Sequence, residues 1–68
     1  MADRVIIFGK SSCPFSQNAK AAYGDSAEYF DIGRDRARLR EMLQYSGGVA
    51  QVPVIVEGDK VTIGYGGT

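Results

Sequence analysis

A chain of 68 residues holds one small domain, and a domain of that size buries only about 60% of the surface its unfolded chain exposes. Its single cysteine cannot close an internal disulfide, and with no histidine it can form neither a Cys/His zinc staple nor a Ser-His-Asp or Cys-His catalytic arrangement. Eight basic residues balance eight acidic ones, leaving no cationic surplus for nucleic acid, and 44% hydrophobic content is that of an ordinary globular domain.

The first element is Val5-Ile6-Ile7-Phe8, an unbroken β-branched and aromatic run that reads as a strand buried on both faces and ended by Gly9. A loop, Lys10-Ser11-Ser12, follows. Pro14 suits the first position of a helix, where a missing N–H costs nothing, so the sequence predicts a helix from Pro14 to Tyr23, capped by Cys13 and stopped by Gly24. Glu28 to Ile32 reads as a second strand, weakened by Asp31. Asp35 can cap a second helix with Leu39, Met42 and Leu43 as its inward stripe and Gly47-Gly48 as its end. Val52 to Val56 reads as a third strand with Pro53 at its start, joined by a Gly58-Asp59 hairpin to a fourth, Lys60 to Ile63.

The order β-α-β-α-β-β predicts an α/β domain over residues 1–68, with a four-stranded mixed sheet and a helix on each face. The first two strands, joined through a helix, should run parallel. The last two should form an antiparallel hairpin, with the first and third strands interior. No apolar run approaches the ~20 residues of a membrane span, and the first four residues lack the basic start of a signal peptide. The expected setting is the cytoplasm, without a membrane or nucleic-acid partner.

Cys13 is the residue with chemistry. It stands between a buried strand and a helix start, where unpaired amide groups point outward, and Lys10 is near in sequence. Both features stabilise a thiolate over a thiol. Arg34, Arg36, Arg38 and Arg40 are the only charge cluster, and steps of two on a helix turn by ~200°, so they read as solvated side chains divided between two sides. Ser16 reads as a hydrogen-bonding residue of the helix start.

Cys13-Pro14-Phe15-Ser16 puts serine where a C-x-x-C redox pair would have its second sulfur. With Lys10 ahead of it, Val52-Pro53 later and Gly66-Gly67 near the end, the chain resembles a monothiol glutaredoxin of thioredoxin-like fold, in matching order from about Arg4 to Gly67. It is also similar to a small glutaredoxin-like branch whose members often carry selenocysteine at the nucleophile position. The family ends with a further helix beside the first one. This sequence stops before it, which implies an exposed apolar patch and a homodimer or a longer chain.

The resemblance implies a glutathione-dependent thiol-disulfide oxidoreductase with glutathione as co-substrate and glutathionylated or disulfide-containing proteins as partners. Cys13 would be the nucleophile toward protein–glutathione mixed disulfides, and no metal is implied for that reaction. Lys10 would hold the glycine carboxylate of glutathione, Phe15 would pack on the tripeptide, and Val52, beside a cis Pro53 facing the cysteine, would pair with it through its backbone. Gln51, Gly66, Gly67 and Thr68 complete the implied glutathione-binding set. Gln51 stands where the family usually has threonine, and Thr68 where it has aspartate, which weakens the expected hold on the glutamyl end. Two other activities follow from the same likeness: carriage of a [2Fe–2S] cluster by a glutathione-ligated homodimer through Cys13, with Pro14 crowding the cluster, and service as a protein reductant that does not use glutathione.

Overall fold

In a computed structural model that describes residues 5–65, Val5–Gly9 forms strand β1. Helix α1 spans Pro14–Tyr23, strand β2 Ala27–Asp31, helix α2 Arg36–Ser46, strand β3 Val54–Glu57 and strand β4 Lys60–Ile63. The sheet order is β2-β1-β3-β4. β1 runs parallel to β2 and antiparallel to β3, and β3 and β4 form the antiparallel hairpin, so the mixed sheet with β1 and β3 interior is the one the sequence predicts.

Alternation along the interior strands builds two cores. From β1, Phe8 enters a cluster with Ile32, Met42, Val54 and Val56, flanked by Leu39 and Leu43, which is the face α2 covers. Its neighbour Ile7 points the other way, into a cluster with Ala19 and Ile55 beneath α1. Successive strand residues face opposite sides, so one apolar strand serves both layers.

The helix ends follow their sequence signals. Cys13 is the N-cap residue of α1, with extended backbone, and Pro14 opens the helix. Asp35 caps α2 by accepting the Ala37 amide at 3.0 Å. At its far end Gly47 adopts the left-handed conformation (φ 70°), which glycine reaches without a Cβ clash, and the Gly48 amide closes onto the Leu43 carbonyl at 2.9 Å.

Two strand boundaries differ from the sequence reading. A short 3-10 turn, Gly24–Ser26, separates α1 from β2, and the strand runs Ala27–Asp31 where Glu28 to Ile32 was expected. Ile32 continues past it and donates its amide to the Gly9 carbonyl at 2.9 Å. β3 begins at Val54, not Val52, because Pro53 has no N–H to give a ladder. Instead the Pro53 carbonyl accepts the Gly64 amide at 2.7 Å, and the Val52–Pro53 peptide bond is cis. Among the described residues no helix is long and apolar enough to cross a membrane.

Candidate functional site

The loop between β1 and α1 holds Cys13 by its backbone. The Cys13 amide donates to the Lys10 carbonyl at 3.0 Å, and the Cys13 carbonyl accepts the Gln17 amide at 3.2 Å as the first turn of α1. The side chain is half-buried and free of any disulfide.

Its thiol is held below the ordinary cysteine range. The largest cause is the Ser16 side chain acting as a hydrogen-bond donor to the sulfur, followed by the Ser16 amide; the Phe15 amide and the charge of Lys10 add to these, and partial burial opposes them. Amides at the helix start and the lysine therefore act as the sequence reading expects. The leading contributor is one it did not anticipate: Ser16 is more than a residue satisfying a helix end. Ser16 is fully buried, and its Oγ also accepts the Lys10 amide at 3.2 Å.

Lys10 connects the cysteine to a cleft of about 340 Å³, lined by Lys10, Ile32, Gly33, Arg36, Leu39, Ala50 and Val52. Of the residues expected to bind glutathione, Lys10 and Val52 line it, whereas Phe15, Gln51 and Pro53 do not, nor does the expected nucleophile Cys13. Phe15 is half-buried on α1, Gln51 is exposed, and Pro53 is fully buried. Gly66, Gly67 and Thr68 lie outside the described residues.

Arg36 is the site residue that sequence reasoning missed, having been read as one of several solvated arginines. The run does divide as expected, but not wholly into solvent. Arg36 lines the cleft, whereas Arg38 lies over the Phe30 ring, 4.0 Å from its centroid, and bonds Glu41 at 2.7 Å. The available signal was its place in the first turn of a helix that follows an interior crossover, where binding groups gather in open α/β sheets.

A second, more open cleft of about 260 Å³ shares Lys10 and Gly33 and adds Ser11, Ser12, Asp31 and Arg34. Here the Asp31 carboxylate accepts the Gly33 amide at 2.9 Å. That bond, with donors from Ser11 and the charge of Arg34, keeps the carboxyl below its ordinary range. Among the described residues no three His, Cys, Asp or Glu side chains stand together as a metal site.

A chain with this strand order and a cysteine at this helix start has known counterparts. A glutaredoxin from Archaeoglobus fulgidus is similar at 26% identity with a TM-score of 0.76, over 97% of this chain and 78% of that one. A buckwheat glutaredoxin–glutathione complex is similar at 20% identity and a TM-score of 0.70, over 91% of this chain and 61% of that one. The holo form of glutaredoxin C1 from Populus tremula x tremuloides is similar at 24% identity and a TM-score of 0.69, over 93% and 61%. The chain thus spans less than two thirds of either plant protein. No curated protein matches it. The family model described as Glutaredoxin matches residues 5–62, nearly the whole described structure, and the chain belongs to the glutaredoxin family.

Proposed function

We propose that this glutaredoxin is a monothiol enzyme of the reducing cytoplasm that removes glutathione from protein mixed disulfides. The Cys13 thiolate attacks the glutathione sulfur of the mixed disulfide. The old S–S bond breaks, the protein sulfur leaves as a thiolate and takes a proton from solvent, and glutathione remains on Cys13 through a new S–S bond. A second glutathione thiolate then attacks the bound glutathione sulfur, producing oxidised glutathione and restoring the Cys13 thiolate. In sum the mixed disulfide and one free glutathione thiol become a protein thiol and oxidised glutathione: the protein sulfur is reduced, the entering glutathione sulfur is oxidised, and no further oxidant or reductant enters.

One observation carries this reading: Lys10 is bonded through its backbone to Cys13 and lines, with Arg36, the cleft that Val52 also walls. Two cations in one cleft suit a ligand with carboxylates, as glutathione has. Val52 stands just before β3, where an extended peptide can pair with exposed backbone groups. The similar buckwheat protein was solved with glutathione. Ser16 in place of a second cysteine leaves the resolving step to glutathione.

The test is the turnover of a peptide–glutathione mixed disulfide, followed by the formation of oxidised glutathione. Cys13→Ser is expected to abolish it, and Ser16→Ala to keep it at a reduced rate near neutral pH. Undiminished turnover by Cys13→Ser would overturn the assignment.

A further inference from the structure

Gly9 closes β1 with ordinary strand backbone: among the described glycines, the positive φ values belong to Gly24, Gly47, Gly48, Gly58 and Gly64. No turn requires glycine there, and glycine weakens a strand. What position 9 does require is space. A Cβ built on it would stand 2.7 Å from both Cβ and Oγ of Ser16, inside the distance that real side chains keep, and at a tight 3.1 Å from Cε1 of Tyr29.

Ser16 fills that space from the first turn of α1, fully shielded from solvent. Its Oγ accepts the Lys10 amide at 3.2 Å, which leaves the single hydroxyl proton to be donated, and this hydroxyl is the leading influence that favours the Cys13 thiolate. A methyl group at position 9 would move this hydroxyl, because Gly9 and Ser16 approach without slack.

We propose that Gly9 is a positioning residue for Cys13: its missing side chain is the seat in which the Ser16 hydroxyl bridges the Lys10 amide and the Cys13 sulfur. Gly9 touches no reacting atom and acts through Ser16 alone. Besides the Ser16 and Phe15 amides, the titratable groups acting electrostatically with the sulfur are the Lys10 ammonium from the loop and the Tyr29 phenol from β2, whose own ionisation is pushed up by burial first and by Asp31 and Cys13 after it. This inference deepens the proposed site and rests on Cys13 being its reactive residue.

The experiment is a pH titration of thiolate absorbance near 240 nm, in the full chain, for the unaltered protein, Ser16→Ala, Ser16→Gly, Gly9→Ala and the exchange Gly9→Ala/Ser16→Gly, each first checked for fold by circular dichroism. Removing a hydrogen bond to a charged group is expected to raise the Cys13 midpoint by about one pH unit, a roughly tenfold smaller thiolate fraction below it. Ser16→Ala, Ser16→Gly and Gly9→Ala should each show this rise. The exchange should rise no further than Ser16→Gly alone, since a coupled pair is not additive. A folded Gly9→Ala with an unmoved midpoint, or full additivity in the exchange, overturns the proposal. If Gly9→Ala does not fold, the exchange, which removes the clashing serine side chain, must fold with a midpoint matching Ser16→Gly; failure on either count overturns it as well. Mixed-disulfide turnover by the unaltered protein is measured separately. Shifted midpoints without any turnover would remove the glutathione reading and leave this one standing.

Discussion

Lys10 and Arg36 meet at one cleft although they come from different elements, the loop after β1 and the first turn of α2. Both are exposed, so water competes for their charges and each contributes modestly. Replacing either by alanine is expected to raise KM for a glutathione mixed disulfide about two- to fivefold; kcat should be nearly unchanged in Arg36→Ala, whose lost interaction acts on bound substrate and transition state alike, and somewhat lower near neutral pH in Lys10→Ala, whose charge also favours the Cys13 thiolate. Steady-state kinetics on Lys10→Ala, Arg36→Ala and Arg40→Ala check this, the last being an exposed arginine of the same helix that does not line the cleft.

The pH dependence of Cys13 has a definite sign. With its thiol held below the ordinary cysteine range, alkylation by iodoacetamide should level off at a pH lower than that for a free cysteine, and fall about tenfold per unit below the midpoint. Linkage gives stability the same direction. A group whose folded pKa is depressed adds stability that is fully present above its unfolded pKa and is lost as pH falls through the folded one. Cys13→Ser should therefore narrow the stability difference between mildly alkaline and acidic buffers, read from urea unfolding midpoints.

Met42 is fully buried on α2 against the cluster of Phe8, Val54 and Val56. Truncation to alanine in such a setting costs about 2–5 kcal/mol. Total stability in domains is about 5–15 kcal/mol and small domains are marginal, so Met42→Ala should leave a large unfolded fraction at room temperature. Far-ultraviolet circular dichroism against urea measures it, and a midpoint within error of the unaltered protein would contradict the packing described.

Loss of the α2 cap should be milder. Asp35→Ala removes the acceptor of the Ala37 amide and is expected to cost about 1 kcal/mol, with Asp35→Asn recovering most of it. Urea unfolding of the two variants checks the order. Because Arg36 follows directly, Asp35→Ala is also expected to raise KM slightly.

Most of the scaffold was legible because its signals are local. Pro14 and Gly24 bracket α1, Asp35 and Gly47 bracket α2, and Gly58-Asp59 marks the hairpin. The β2 boundary was not, since the 3-10 turn at Gly24–Ser26 leaves no periodicity to read. Cys13 stood out by its place at a helix start, but the hydroxyl acting on its sulfur did not. That contact depends on Ser16 lying against Gly9, seven positions back across a loop, and only the packing of α1 on the sheet sets that distance. Arg36 was hidden for a similar reason: its neighbour at the cleft, Lys10, is 26 positions earlier in the chain.

The opposed directions of Ile7 and Phe8 bear on which sequence changes the molecule can survive. Inserting or deleting one residue within β1 would send Phe8 toward α1 and an isoleucine toward α2, spoiling both interiors in one event. Length variation should accordingly be tolerated at the Gly58-Asp59 bend and be lethal to folding in the five residues of the central strand.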